Sequence, residues 1–364
     1  MFNFNFGKKI FLGVDIGTSS LKVVELELRA DRPYLSNYAW MPVDNASKKK
    51  ENANSDFFEI TFSEYLKKII KEAKFKGKDV YISIPAFGGL ITLIDFPEVP
   101  VEDMEQAIRY EAHKYIPTSL DEVALNWEVI KNNSSAQLSV QADKKENKSH
   151  GKNNKVLLVA ASKSKIATYE KVVKKAGLKP RGVEIESIPM VNALVGNDKG
   201  NFFILDIGFR TCNIIYIQKG VITANRNINA GGADLTRTIA KSMKVTEEKA
   251  EAIKISDRNL FSVESNIQFP TLELISQEIE RILENFSQNK NSSDVDAIIL
   301  SGGTANLTGL KNFFQKKFNI KTIISDPFSR VDYNKNLKPF LEKMKGQFNV
   351  CVGLALMGLG NYKK

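Results

Sequence analysis

The sequence predicts an α/β protein built as two duplicated lobes facing one cleft, and three stretches carry that expectation. In the first, Gly13-Val14-Asp15-Ile16-Gly17-Thr18-Ser19-Ser20-Leu21-Lys22, an apolar strand over 10–14 turns tightly into a second strand over 21–28. In the second, an apolar run from 201 leads into Asp206-Ile207-Gly208-Phe209-Arg210-Thr211 and then another apolar strand over 213–217. In the third, a buried strand from 297 enters Ser301-Gly302-Gly303-Thr304-Ala305-Asn306-Leu307 and then a helix.

A glycine turn of the first kind leaves backbone N–H groups and the hydroxyls of Thr18, Ser19 and Ser20 free to face an anion. Asp15, at the strand end, is placed to hold a hydrated cation beside phosphates. An Asp-x-Gly-Thr turn also closes ordinary hairpins, so the first copy alone leaves both readings open. The second copy favours duplicated halves that each give one phosphate-binding hairpin to a shared cleft. At Gly302-Gly303 a flat ring could lie against bare backbone at a helix start.

The bounds agree with that picture. A chain of 364 residues is too long for one small core, and 43% hydrophobic with 26% charged residues describes a soluble globular protein. Two cysteines, Cys212 and Cys351, argue against a disulfide framework and fit a reducing compartment. Two histidines, His113 and His150, leave little basis for a zinc site. No apolar run reaches the length of a membrane span, and the N-terminus lacks a signal-peptide core, so a cytoplasmic location is expected. The net charge of +10 could suit nucleic acid or an anionic membrane surface. The lysines are scattered and form no basic stripe with interleaved aromatics, so a solvated surface and no nucleic-acid partner are expected.

In chain order, Phe2, Phe4 and Phe6 alternate in a loosely packed N-terminus. A third strand over 34–42, a polar linker over 44–56, a helix carrying Phe62, Tyr65, Leu66, Ile69 and Ile70, and a strand over 79–85 complete the first lobe's opening part. Residues 86–181 then read as an inserted α+β module: a strand over 89–96, a helix over 101–115, strands near 123–130 and 155–162, and a helix over 163–176. Its segment 131–154 is polar and mobile apart from a short strand at 138–140. Glu186 ends a strand just before a helix over 188–194. Gly231-Gly232 starts another helix, and helices over 246–255, 272–286, 309–318 and a glycine-rich closing helix over 346–360 follow.

The three motifs in this order resemble the actin-like ATPase superfamily. Four further features narrow the resemblance: Phe11 to Leu26 as a whole, Ser83-Ile84-Pro85 with Asp95-Phe96-Pro97, Ile108-Arg109-Tyr110-Glu111-Ala112 with Tyr115-Ile116-Pro117, and Ser301 to Leu307. Together they are similar to the PilM family of type IV pilus assembly proteins, itself similar in architecture to the cell-division protein FtsA. The resemblance implies an actin-like ATPase fold with ribonuclease H-like duplicated lobes and an inserted α+β domain. It places the first lobe at 1–85 and 182–200, the insert at 86–181, the second lobe at 201–345 with a small helical subdomain near 232–268, and the closing helix at 346–364.

The resemblance also assigns roles around ATP and magnesium. Asp15 and Asp206 would flank magnesium, Gly17, Thr18, Ser19 and Ser20 would wrap the phosphates, and Gly208 to Thr211, Arg210 included, would clasp them from the opposite lobe. Gly302, Gly303 and Thr304 would lie under the adenosine, Glu251 and Lys254 would hold the ribose, and Lys22, Gly231, Gly232 and Asn306 would complete the nucleotide set. By spacing alone, Glu251 and Lys254 could equally be a surface ion pair. Glu186 would orient the attacking water; a carboxylate capping the next helix is the alternative. Phe209-Arg210 departs from the small residues usual there, which leaves the turnover rate open more than nucleotide binding; slow or no hydrolysis is expected. The implied function is a nucleotide-binding adaptor peripheral to the inner membrane, docking the N-terminal peptide of a PilN-like protein between the first lobe and the insert. The walls expected are the strand 80–85, the segment 88–96 and the helix 104–115. Contacts with other platform and motor components are expected, and self-association stays open. The alternative is an FtsA-like polymerising ATPase, although this chain carries neither the tail nor the membrane-targeting helix typical of FtsA. A sugar or acetate kinase would need a second polar substrate set that is not evident.

Overall fold

The same local chain order builds two five-stranded sheets. The computed structural model describes residues 9–43, 55–100, 102–130, 154–287 and 295–361. The expectations for Phe2, Phe4 and Phe6, for most of the 44–56 linker and for the short strand at 138–140 lie outside them.

In the first sheet, β1 (Ile10–Ile16), β2 (Ser20–Arg29) and β3 (Arg32–Pro42) form an antiparallel meander. A crossover through α1 (Ser55–Glu72) brings β4 (Asp79–Ile84) parallel to β1. After the insert, α3 (Lys163–Lys175) leads to β8 (Lys179–Ile185), parallel to β4, giving the order β3-β2-β1-β4-β8. The second sheet repeats the plan. β9 (Phe202–Ile207), β10 (Cys212–Gln218) and β11 (Val221–Ile228) form the meander. β12 (Ala297–Ser301) lies parallel to β9 and β13 (Thr322–Ile324) parallel to β12. Strand for strand, β1 corresponds to β9 and β4 to β12.

Near-continuous apolar runs explain why these strands are central: β1 and β10 are buried at nearly every position, with Ile214 and Tyr216 of β10 in the second lobe's core and Ile215 and Ile217 in the core that includes β1. The insert contains a separate antiparallel sheet, β5 (Gly89–Phe96), β7 (Asn154–Ser162) and β6 (Val123–Ile130), with α2 (Met104–Ala112) against it. Its own core includes Ile94, Phe96, Ile108, Val156 and Leu158. One assignment changes here. The sequence pattern places α3 in the 86–181 insert, but Tyr169, Val172 and Val173 pack into the first lobe's core, where α3 lies on α1, β4 and β8. It is the crossover helix of that sheet, and the insert interrupts the crossover ahead of it.

Second-lobe helices α5 (Gly232–Met243), α6 (Glu247–Lys254), α7 (Pro270–Ser287) and α8 (Leu310–Phe318) surround the core around Phe203, Leu205, Ile275 and Leu300. A short α9 (Lys338–Met344) precedes the closing helix α10 (Asn349–Asn361). α10 returns to the first lobe and packs on β1, β2, β4 and α4 (Ser187–Leu194). The approach is so close that a Cβ at Gly13 would stand 1.9 Å from the Cys351 carbonyl oxygen, and one at Gly353 1.8 Å from that of Pro189. Only glycine fits at both contacts. Among the described residues, no helix is long and apolar enough to cross a membrane.

Candidate functional site

Both hairpins open onto one cleft between the sheets, with a volume of about 1120 Å³. It is somewhat above the roughly 300–1,000 Å³ typical of small-molecule sites. Each lobe delivers a carboxylate there in the same way. Asp15 ends β1 and its Oδ1 accepts a hydrogen bond from Ser83 Oγ on the parallel neighbour β4, at 3.1 Å. Asp206 ends β9 and its Oδ1 accepts from Ser301 Oγ on the parallel neighbour β12, at 2.5 Å. The duplication therefore extends from backbone to side chains.

The antiparallel partners differ. Lys22, paired with Asp15 across β1 and β2, donates to Asp15 Oδ2 at 3.2 Å. Burial works against its charge, but the adjacent Asp15, with Cys351 and Asp206 contributing, leaves the Lys22 ammonium above its usual range. In the second lobe the equivalent residue is Asn213, paired with Asp206. Its Nδ2 donates to Ser187 Oγ at 2.7 Å, and Ser187 Oγ donates to Asn225 Oδ1 at 3.2 Å. Beside its aspartate, then, the first lobe has a cation where the second has neutral amides.

Burial raises the Asp206 carboxyl above the ordinary range; the Ser301 bond opposes this and the Asp15 charge adds to it. Glu186 follows β8 and faces the same space. Its carboxyl is pushed up to about 8, first by burial and then by the charges of Asp206 and Asp15. Its side chain does not cap α4. Instead Oε1 accepts the Ala86 N–H at 3.0 Å, tying the end of β8 to the turn that enters the insert.

The turns provide the close backbone approaches. Gly17 N–H donates to Ser20 O at 3.0 Å and Gly208 N–H to Thr211 O at 2.9 Å, so both loops close alike. A Cβ at Gly303 would meet nothing, which leaves that peptide bare toward the cleft, while Gly302 turns with φ +87°. A Cβ at Gly232 would come within 2.9 Å of Thr304 Oγ1.

Gly17, Thr18, Ser19, Ser20, Lys22, Gly208, Arg210, Thr211, Gly232, Glu251, Lys254, Gly302, Gly303 and Thr304 line the cleft with Asp15, Asp206 and Glu186. Two residues of the sequence-derived set do not line it. Gly231 caps α5 behind the cleft, its N–H donating to Asp234 Oδ2 at 2.9 Å. Asn306 points to the far side of its turn, where Nδ2 donates to Lys343 O at 3.5 Å. Lys254 is also not a free cation. Its ammonium donates to Gly232 O at 3.0 Å, Thr236 Oγ1 at 2.8 Å and Glu251 Oε2 at 2.7 Å, so all three protons are used within the protein. Glu251, more exposed, presents the pair to the cleft.

Sequence reasoning missed Ser83 and Ser301, whose hydroxyls donate to the two carboxylates, Asn349, whose amide donates to Ser301, and the outer wall of Phe58, Phe87, Lys165, Thr168 and Tyr169. The duplicated strand pattern could have revealed the two serines; nothing local marks Asn349. The groove expected beside the insert is also changed. β4 lies between β1 and β8 with both edges paired, so it has no edge to offer a peptide. Ile108 fills the insert's core, whereas Tyr110 is 75% exposed. Tyr110 borders a hollow of about 380 Å³ with Phe96, Pro97 and Asp103.

A family model described as Type IV pilus assembly protein PilM matches residues 13–359. FtsA of Bacillus subtilis (strain 168) is 23% identical over 194 residues, 47% of this chain, and the match spans only 44% of that relative's length. FtsA of Streptococcus pneumoniae serotype 2 is 22% identical over 362 residues, 87% of this chain and 75% of that protein. Among solved structures, a chain of the PilM-PilN type IV pilus biogenesis complex superposes with a TM-score of 0.76 at 24% identity, covering 96% of this chain and 98% of that one. MreB5 of Spiroplasma citri bound to ADP gives 0.51 at 14% identity, covering 98% of each chain. The fold is thus actin-like, and with a family match running from the first hairpin into the closing helix, the chain belongs to the PilM family of type IV pilus assembly proteins.

Proposed function

We propose that this protein binds ATP with magnesium between its lobes and, in that state, docks the cytoplasmic N-terminal peptide of a PilN-like membrane protein. The observation that carries the first part is the pair Asp15 and Asp206, delivered to one cleft from equivalent strand ends. The donor set suits the group. Among the described residues no cluster of three or more His, Cys, Asp or Glu could hold a metal alone. Two carboxylates beside a polyphosphate suit magnesium, which keeps several of its waters. Bound magnesium would supply charge neutralisation for the phosphates.

The chain's own residues supply the rest. The Gly17 to Ser20 and Gly208 to Thr211 turns would hold the phosphates, with the Lys22 charge between Asp15 and the cleft. Gly302 to Thr304 and Gly232 would take the adenosine, with Glu251 at the ribose and Lys254 holding Glu251 in place. Glu186, tied by the Ala86 N–H to the entry of the insert, would face the attacking water. ADP in the MreB5 neighbour supports the nucleotide reading. Isothermal calorimetry with ATP and magnesium tests it, and absence of binding would remove it.

The partner reading rests on family membership and on a PilN chain accompanying the PilM neighbour. The candidate surface is the insert's segment 86–115, where Phe87 and Tyr110 are exposed aromatic side chains. Apolar hollows of this kind take alternate side chains of an extended peptide. Docking there would bring the protein to the inner face of the membrane through its partner. A labelled N-terminal peptide followed by fluorescence anisotropy tests it, and no binding would remove the adaptor reading.

A further inference from the structure

Asn349 is the first residue of α10, the closing helix that packs on the first lobe, yet its side chain serves the second. Its Nδ2 donates to Ser301 Oγ at 2.7 Å and to Ser325 Oγ at 2.8 Å, with Gly346 O at 3.1 Å. Ser301 ends β12 and Ser325 follows β13, so one amide grips the ends of two adjacent second-lobe strands. All three side chains are shut away from solvent: Asn349 is 2% exposed, Ser301 1% and Ser325 1%.

The direction of the amide follows from proton counting. Ser301 has one hydroxyl proton and gives it to Asp206 Oδ1. Toward Asn349 it can therefore only accept, and the amide must present nitrogen. The consequence is that Asn349 Oδ1 is buried with no hydrogen-bond partner. A buried acceptor in that condition is unfavourable and calls for an explanation. Turning the amide over would satisfy it but would set two acceptors against each other or draw the Ser301 proton away from Asp206. The unsatisfied oxygen is the cost of keeping the Ser301 hydroxyl donating to the carboxylate.

We propose that Asn349 and Ser301 are positioning residues for the cation site: Asn349 on the first lobe's closing helix fixes the Ser301 hydroxyl, and Ser301 fixes the Asp206 carboxylate facing the cleft. The relay makes the aim of the second-lobe carboxylate depend on the seating of a first-lobe helix. The two lobes must therefore be docked through α10 before both aspartates address one cation. The inference rests on the reading of the cleft as a magnesium-nucleotide site, and it concerns how this chain prepares Asp206 for that ion.

The test is calorimetric titration of ATP into the full chain, with magnesium and again with EDTA. The variants are Ser301→Ala, Ser301→Thr and Asn349→Leu, with Asp206→Asn as reference. The readout is the gain in affinity that magnesium confers. Loss of the Ser301 hydrogen bond to the Asp206 carboxylate should cut that gain about tenfold in Ser301→Ala, and loss of the amide that holds Ser301 should cut it in Asn349→Leu, each by a larger factor than the affinity in EDTA changes. Ser301→Thr, which keeps the hydroxyl, should retain the gain. Should Asn349→Leu fail to fold, Ser301→Ala, which removes a single oxygen, decides the matter. A full magnesium gain in Ser301→Ala would overturn the relay while leaving the site reading intact, as would equal losses with and without magnesium. A wild-type chain that binds ATP with no magnesium gain would overturn the cation site and the relay together.

Discussion

Asp15 and Asp206 stand at equivalent ends of duplicated strands, and each takes a serine hydroxyl from the parallel strand beside it, Ser83 and Ser301 respectively. The pairs are not identical. Asp15 is also paired with the Lys22 ammonium, whereas Asp206 faces Asn213 and has no such cation at the equivalent position. Burial raises the Asp206 carboxyl above its ordinary range. Neutralising the two aspartates should therefore have unequal effects on folding. Asp206→Asn removes a poorly solvated charge and should raise the thermal midpoint in metal-free buffer. Asp15→Asn leaves the buried Lys22 unmatched and should lower it, by about 1–3 kcal/mol of stability. Paired thermal melts in EDTA check this; equal shifts would contradict it.

Glu186 gives the pH dependence. Its folded value of about 8 lies above the ordinary 4.5, so the native state holds a proton that the unfolded state releases in between. Stability from this group is therefore lost as pH rises through that window. Glu186→Gln removes the dependence, and its advantage over wild type should grow from pH 5 to pH 8 in metal-free buffer. A difference in melting temperature independent of pH would contradict the assignment.

Turnover should be slow. ATP with magnesium should raise the thermal midpoint, by about 2.7 kcal/mol of stability at a hundredfold excess over its dissociation constant. Glu186→Ala should alter the hydrolysis rate without abolishing that rise. A phosphate-release assay giving kinase-like rates of about 1–100 per second would contradict this.

Glu251 and Lys254 should separate by phenotype. Glu251→Ala should weaken ATP binding with little loss of fold, since its side chain is 43% exposed. Lys254→Met should lower both, because Gly232 O and Thr236 would lose a buried donor, at about 1–3 kcal/mol. Calorimetry and melting on the same samples distinguish these outcomes.

Tyr110→Asp should weaken binding of the partner's N-terminal peptide, because it puts a charge beside the hollow on the insert. Nucleotide affinity should not change. Undiminished peptide anisotropy would move the docking surface elsewhere.

Much of this architecture was legible in the sequence because it is written in local pattern. The hairpins at Asp15 and Asp206 are apolar runs broken by an Asp-Ile-Gly turn, ambiguous singly but informative as two copies half a chain apart. The i, i+3 spacing of Glu251 and Lys254 put both on one helix face, and it was the resemblance that assigned that face to the cleft. What the spacing could not show is that Lys254 is buried with its protons all engaged, since that depends on Gly232 and Thr236 from another helix. The same holds for α3, whose amphipathic pattern fits either neighbour until the strand order is known, and for β4, whose buried run does not reveal that both edges are paired. Asn306 follows a glycine turn whose direction depends on φ at Gly302, so its side chain could not be aimed from sequence. Asn349 acts across 48 residues of chain from Ser301, through two lobes, and only the assembled structure brings them together.

The central claim is that two aspartates from duplicated hairpins address one magnesium-nucleotide site. Calorimetric titration of magnesium and ATP into wild type, Asp15→Ala and Asp206→Ala tests it most directly. The account predicts binding to wild type and a marked, magnesium-dependent loss of affinity in both variants. Wild-type affinity in both would contradict it.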